Sequence, residues 1–184
     1  MARRGSSAKR PLLTPDQARA IYAYNLRVFD RFVTRVRRLS GRAARKRREI
    51  GHQSLFDTLV HILNVQEVWL AYIVHGRNSD AELGTLFRDP TRHPRDWKGF
   101  AVYERRVHTA LRTYLAELTP REMRRPVQAF WMPGEYTVSD AFLQTTFEEA
   151  HHLGEIIGAL WQDDLRSPEM TWIGVGRAPK RGRT

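Results

Sequence analysis

The stretch TVSDAFLQTTFEEAHHLGEIIGAL, residues 137–160, has the spacing of a long helix and sets the fold class of the chain. Thr137 followed by Asp140 has the form of a capping box, so a helix is predicted from there to about Asp164. Counting about 100° per residue from His152, Glu148 shares its face with a stripe of small and apolar side chains. A helix that has to be buried therefore carries a carboxylate and an imidazole on its inward face.

Three earlier segments have the same helical pattern. Helix one is predicted to start at Thr14 and to end near Gly41, helix two to run from Ser54 to about Gly76, and helix three to cover about 96–118. A long crossover loop with at most one short helical turn is expected at residues 77–95. Four long amphipathic helices predict an all-α fold, a four-helix bundle in which sites are built from inward-facing side chains.

A short hairpin is predicted immediately before the fourth helix. The segment VQAFWMPGEYTV, residues 127–138, places Pro133-Gly134 between residues that favour strands. We expect its side chains to reach the pocket of the bundle, with Trp131 and Tyr136 as walls beside Thr145 of helix four.

Composition predicts one domain without a membrane span. The chain has 184 residues, 41% of them apolar, and no apolar run approaches the roughly 18 residues that a span needs. Residues 1–13 are expected to form a disordered basic arm, 14–166 the bundle, and 167–184 a basic, partly disordered tail. The basic N-terminus has no apolar segment behind it, so a cytoplasmic protein is expected. Because there is no cysteine, a metal site must use His, Asp or Glu.

The charge pattern has two explanations that the sequence leaves open. The net charge is +11, and 27 of the 31 basic residues are arginine, as expected either from GC-rich codons or from an anionic partner. The run at 35–48, with Arg45, Arg47 and Arg48, favours a nucleic acid or another anionic surface. Neither a zinc-finger spacing nor an RNA-binding aromatic pattern accompanies it, so only sequence-independent phosphate attraction is predicted.

The inward pair on helix four predicts a metal site when it is combined with a histidine of helix two. A buried carboxylate needs a cation, a hydrogen-bond donor or a proton, and Glu148 and His152 could neutralise each other. His61 is a second unexplained imidazole in an apolar stripe. Two imidazoles and a carboxylate match the three protein ligands of an open divalent-metal site. A di-iron site built on Glu148 and His151, or on Glu149 and His152, would need a second Glu-x-x-His segment, which the chain lacks.

Three segments carry a family resemblance. AYNLRVFDRF (23–32), SLFDTLVHILNVQEVWLAYI (54–73) and GEYTVSDAFLQTTFEEAHHLGEIIGAL (134–160) resemble the DinB-like family, also called the DinB/YfiT-like metalloenzymes. The most specific features are a histidine in a Leu-rich second helix followed by Trp-Leu, and the late H-x-G-[QE]-I motif. The resemblance implies a four-helix bundle of up-down-down-up topology, commonly dimeric, that holds one divalent metal with a triad.

The resemblance also assigns the ligands. The family's helix-two histidine corresponds to His61 and the last histidine of its helix-four motif to His152, whereas the usual histidine four residues earlier is Glu148 here. A His/Glu/His set is similar to the mycothiol-dependent maleylpyruvate isomerase branch, in which zinc is held this way. Zinc or nickel is the ion we expect, and iron or manganese also suits two nitrogens and one oxygen.

Two functions follow as hypotheses. The first is a metal-dependent enzyme of the thiol-transferase, isomerase or hydrolase type, in which the ion acidifies water or the thiol of a low-molecular-weight cosubstrate. Glu149 is then expected to support a ligand or to act as a base on a small-molecule substrate. The second is a non-enzymatic, stress-associated protein that binds nucleic acid or another anionic partner through its arginines.

Overall fold

The computed structural model describes residues 11–77 and 79–173, which are mostly helical and form one small two-stranded sheet. The expected all-α fold is therefore confirmed. The α-helices are α1 (Pro15–Arg37), α2 (Gly41–Ala44), α3 (Leu55–Gln66), α4 (Asp80–Arg88), α5 (Trp97–Ala116), α6 (Pro120–Met123) and α7 (Val138–Gln162). No helix among these residues has the length and apolar character that crossing a membrane requires.

Side-chain caps start the long helices where the sequence predicts them. The Thr14 hydroxyl accepts a hydrogen bond from the Gln17 amide while the Gln17 side chain accepts one from the Thr14 amide. Thr137 and Asp140 form the same reciprocal pair at the start of α7. Each pair satisfies amides that have no partner within the first helical turn. The predicted starts of helices one and four are confirmed.

The second helix changes its geometry halfway along. From Glu67 to Ile73 the backbone is a π-helix, and the Val74 amide donates to the carbonyl of Trp69, five residues earlier, at 3.1 Å. The wider turn rotates all later side chains relative to an α-helix, so the 3.6-residue stripe predicted across helix two is interrupted. Such π segments are frequent near functional sites.

The segment between the second and third long helices is more ordered than expected. The prediction of a loop with at most one helical turn at 77–95 is wrong, because α4 occupies Asp80–Arg88 and a 3₁₀ helix follows at Pro90–Arg92. Ser79 and Glu82 form a capping box at the start of α4. Arg92 of this segment contacts Glu67 of the π-helix.

The predicted hairpin is present, with a different turn. Strand β1 (Pro126–Ala129) pairs antiparallel with β2 (Met132–Thr137), so the chain reverses at 130–131. The expectation that Pro133-Gly134 forms the turn is wrong: both residues lie within β2, where Gly134 has a φ of 140°. The register shifts between Val127 and Ala129, which accommodates this irregular backbone.

The long helices pack around a shared core. Helix α7 contacts α3, α1 and the π-helix, and α5 contacts the same three elements. At the N-terminal end of the described residues, the Leu13 amide donates to the Ser139 hydroxyl at 2.9 Å. At the other end, the ring of Trp172 lies 5.1 Å from that of Tyr24. Most of the predicted basic arm and tail, residues 1–10 and 174–184, lies outside the described residues.

A buried ion pair joins the segment at 77–95 to the π-helix. The Arg92 side chain is fully buried, and its Nε donates to Glu67 Oε2 at 2.6 Å. The Tyr103 hydroxyl lies 2.8 Å from the same oxygen. Burial, followed by the Glu67 charge, raises the pKa of Tyr103, so this hydroxyl stays protonated and can donate. Removing one member of such a pair leaves an uncompensated buried charge.

Glu67→Ala is expected to lower the free energy of unfolding by about 3–5 kcal/mol, because Arg92 would stay buried without its carboxylate. Urea denaturation followed by circular dichroism measures the change. Glu49→Ala removes an exposed carboxylate and serves as the control, with an expected change within about 0.5 kcal/mol. Equal stability of the two variants would show that the pair does not anchor the segment.

Candidate metal centre

Three histidines from three parts of the chain come together on one side of α7. Helix α3 supplies His61, α7 supplies His152, and the turn before α3 supplies His52. Gln53 in that turn has a φ of 64°, so the chain bends sharply between His52 and the cap residue Ser54. The bend directs His52 back toward the two helices.

The imidazole rings are in direct contact. The rings of His52 and His61 are stacked with centroids 3.6 Å apart, and the His152 ring meets them edge-on at 5.2 and 4.6 Å. One ligand nitrogen from each ring lies within 4.8 Å of the other two. An ion about 2.0–2.1 Å from each nitrogen would draw the three nitrogens closer together than this limit.

Glu155 determines which nitrogen of His152 is free. The Nδ1 of His152 lies 2.8 Å from Glu155 Oε2. Burial alone would raise the pKa of Glu155, but hydrogen bonds from His152 and the Gly51 amide lower it. An ionised carboxylate only accepts, so Nδ1 carries the proton and donates, and Nε2 is the nitrogen of His152 that can offer a lone pair to a metal ion. This orientation is typical of metal-binding histidines.

Glu148 faces the free nitrogen of His152. Its Oε2 lies 3.6 Å from His152 Nε2, too far for a hydrogen bond, and Gln144 Nε2 donates to its Oε1 at 2.8 Å. Two electron-pair donors at this spacing suit two ligands of one cation, which lie about 3.3 Å apart around a tetrahedral zinc.

The imidazoles of His52 and His61 are neutral, and their nitrogens are available to a metal ion. Burial, followed by the charges of His52 and His152, lowers the pKa of His61 to about 4. Burial and His152 also lower the pKa of His52. Among the described residues, neither ring has a hydrogen-bond partner. Neutral imidazoles without protein partners are the form that binds a metal ion, so the residues present fit one.

A cavity of about 480 Å³ opens beside His52 and His61. Its other lining residues come from the turn before α3, from α3 and the π-helix, and from the end of α4 and the segment that follows it. They are Arg45, Asp57, Val60, Asn64, Val65, Val68, Trp69, Phe87, His93, Pro94 and Arg95. The volume lies within the range of small-molecule sites.

The structure places the predicted ligands as follows. His61 and His152 are brought together, and Glu148 lies beside His152 but outside the group of three imidazoles. Glu149, which the helical count places at the flank, is instead buried, and its Oε2 accepts from Gln66 Nε2 at 3.0 Å. Burial raises its pKa to about 7.

The three residues predicted to line the pocket lie in different parts of the structure. Trp131 lies edge-on to Trp69, a residue of the cavity, with ring centroids 5.8 Å apart. The Tyr136 hydroxyl donates to the carbonyl of Pro133 at 2.9 Å. Thr145 is buried in α7 near Glu149, where it lines a separate, much smaller cavity.

Two of the three arginines predicted to meet an anionic partner are used within the fold. Arg48 is buried and its Nη2 donates to Asp163 Oδ2 at 2.6 Å. The Arg45 guanidinium lies 3.8 Å from the ring centre of Phe56. Arg47 is exposed.

His52 is the site residue that sequence reasoning missed. It lies in a turn, and periodicity identifies only side chains that share the face of a helix or strand. The available signal was its position two residues before the helix cap at Ser54.

Comparison with known proteins gives a match to one protein family. The sequence pattern that describes the DinB superfamily matches residues 26–156, more than half of the chain, and that range contains all three histidines. No curated protein has significant similarity to the chain.

In metal-free protein, the pKa of His61 is expected near 4, and His52→Ala is expected to raise it toward 6.5, because the variant removes a neighbouring charge and opens the site. NMR titration of the imidazole resonances measures this. Because the unfolded chain binds the proton first, native stability should fall between about pH 6.5 and 4. His151→Ala, which removes an exposed neighbouring imidazole, should leave the His61 pKa unchanged. A His61 pKa near 6.5 in the unmodified protein would contradict the burial argument.

Proposed function

The chain belongs to the DinB superfamily, and we propose that it is a metal-dependent enzyme whose ion is held by histidines of α3, α7 and the turn before α3. Domains of this superfamily generally bind a metal. We also propose that α1, α3, α5 and α7 form the up-down-down-up four-helix bundle that the family resemblance implies. The inference of a metal site rests on the contact of three imidazoles beside a carboxylate.

The proposed ligand set is His61, His152 and Glu148, with His52 added as a third nitrogen. His152 supports it best, since Glu155 holds its Nδ1 proton and turns Nε2 toward Glu148. His52 is included because its ring contacts those of His61 and His152 and has no hydrogen-bond partner among the described residues. Three nitrogens and one oxygen favour zinc or nickel over iron or manganese, which prefer more oxygen ligands.

The proposed reaction class is transfer or isomerisation involving a small-molecule thiol, or hydrolysis. A bound divalent ion would lower the pKa of a coordinated thiol or water. A thiol must come from a low-molecular-weight cosubstrate because the chain has no cysteine. The mycothiol-dependent isomerase branch and a homodimer are parts of this proposal that rest on the family resemblance. A cytoplasmic location stays a prediction from the sequence.

The two adjacent glutamates have different proposed roles. Glu148 is partly exposed and faces the His152 nitrogen, so it can bind the ion or accept a proton beside it. Glu149 is hydrogen-bonded to Gln66 of α3 and is buried away from solvent. We therefore assign the role of ligand to Glu148 and not to Glu149. The contribution of Glu149 is to hold together the two helices that carry His61 and His152.

The alternative function, binding of nucleic acid or another anionic partner in a stress response, has weaker support. The net charge of +11 favours it. However, Arg48 forms a buried ion pair and Arg45 packs on an aromatic ring, so fewer guanidinium groups are free than the sequence suggests.

We expect tag-free protein to bind one zinc or nickel ion, and His61→Ala and His152→Ala to weaken binding by more than about 100-fold, because a lost ligand costs more than a lost supporting group. Titration calorimetry and elemental analysis measure affinity and content. His151→Ala is the matched control, since this exposed imidazole is next to His152. Binding that survives both ligand variants would rule out the proposed centre. His52→Ala and Glu148→Gln then measure how much each of these two proposed ligands contributes.

Glu155→Gln tests the orientation of His152 separately. The amide still accepts a hydrogen bond but no longer stabilises the imidazole by its charge, so metal affinity should fall about 10- to 100-fold. Glu135→Gln, an exposed change on β2, is the control. Unchanged affinity in Glu155→Gln would mean that this carboxylate does not position a ligand.

A further inference from the structure

We propose that the cavity beside His52 and His61 binds a small molecule that has an apolar body and a single carboxylate, and that Arg95 binds the carboxylate. As an assignment of substrate class this rests on the proposed function, since the ligand would reach the proposed metal ligands. As an assignment of a binding site it stands on the lining of the cavity alone.

Most of the cavity wall is apolar. Val60, Val65 and Val68 line the cavity from α3 and the π-helix, Trp69 follows them, and Phe87 adds an aromatic ring from the end of α4. An aryl or short alkyl group fits such a wall, because its burial removes apolar surface from water. A volume near 480 Å³ accommodates a body of this size together with a polar head group.

The cations of the cavity differ in availability. The guanidinium of Arg45 lies over the Phe56 ring, donates to the Arg95 carbonyl and lies 3.8 Å from Asp57. The Arg95 guanidinium has no hydrogen-bond or ion-pair partner in the described part of the chain. An unengaged guanidinium at the edge of an apolar cavity suits a carboxylate, which it binds with two parallel hydrogen bonds.

A carboxylate is favoured over a phosphate by the number of free donors. One unengaged guanidinium matches one singly charged, planar group, whereas a phosphate dianion usually requires several cations or backbone amides. Asp57 also lines the cavity and adds negative charge that disfavours a dianion.

The position of Arg95 orients the ligand. The cavity is lined by Arg95 and also by His52 and His61, with the valines and Trp69 in the same wall. A carboxylate bound to Arg95 therefore extends the apolar body along this wall, so that its other end reaches the imidazoles. The inferred substrate class is a carboxylic acid whose reacting group is separated from the carboxylate by an apolar spacer.

The test uses three probes that differ only in the head group: 3-phenylpropionate, 3-phenylpropionamide and 2-phenylethyl phosphate. Each is titrated by ligand-detected NMR into protein treated with EDTA and into protein loaded with zinc. We expect the carboxylate to bind at least about 10-fold more tightly than the amide, the difference that a charge-assisted hydrogen bond provides. The phosphate should bind more weakly than the carboxylate.

Two variants and a control locate the site. Arg95→Gln should remove the preference for carboxylate over amide, whereas Arg47→Gln, an exposed change outside the cavity lining, should keep it. Val65→Phe should weaken carboxylate and amide alike by filling the cavity, and thermal unfolding verifies that this variant is folded. The variants are compared in EDTA-treated protein, so that a change in zinc binding at the imidazoles does not alter the measured probe affinities.

Three results would overturn the inference: no binding of any probe, equal affinity for acid and amide, or a carboxylate preference that survives Arg95→Gln. Tighter binding of the phosphate would overturn the assignment of a single carboxylate. Failure of the proposed function gives a different pattern, in which the EDTA-treated protein still prefers the carboxylate but zinc does not bind to His61 and His152.

Discussion

The carboxylate of Glu155 uses its two oxygens for two different parts of the site. Oε2 accepts the Nδ1 proton of His152, and Oε1 accepts the backbone amide of Gly51 at 3.1 Å. The first bond orients a ring on α7, and the second fixes the turn that carries His52. Because Glu155 lies three residues after His152, the same helical turn that presents one imidazole also positions the other. The arrangement of the centre therefore depends on this one side chain.

Three imidazoles can remain in contact only if they carry little positive charge. Each additional proton would repel the others, and burial also disfavours the charged form, so the pKa of both His52 and His61 is lowered. The group is therefore a set of electron-pair donors with two carboxylates, Glu148 and Glu155, beside His152, in a protein whose net charge is +11. This local reversal of charge favours a cation at a place where the remainder of the surface would repel one.

The sequence predicted correctly those features that follow from the geometry of a single helix. The capping pair of Thr137 and Asp140 predicted the start of α7, and the 100° count grouped His152 with a stripe of small and apolar side chains that is buried. It failed for Glu149, which lies about 60° from the stripe but is buried, because α7 packs against α1 and α3 on two sides. The buried arc of a helix with two neighbours is wider than the stripe that periodicity detects.

Other features could not be predicted from local patterns. The π-helix at Glu67–Ile73 depends on tertiary contacts such as the buried Arg92, which is distant in sequence. His52 lies in a turn, where side-chain direction depends on a single backbone bend at Gln53. Helix α4 is a different case, because its capping box at Ser79 and Glu82 was visible in the sequence but was outweighed by the nearby prolines and polar residues.

The arginine-rich run at 35–48 has a structural role in the turn before α3. The backbone amide of Arg48 donates to the Gln53 carbonyl at 2.6 Å, and its side chain binds Asp163 at the end of α7. Lys46 binds the other oxygen of Asp163 at 2.9 Å. These bonds hold the start of the turn against α7, as Gly51 and Glu155 hold its middle. A basic segment that predicts an anionic partner thus supports the position of His52. Neutralising Arg48 would disturb the histidine group as well as any anionic surface, so only an exposed residue such as Arg47 separates the two effects.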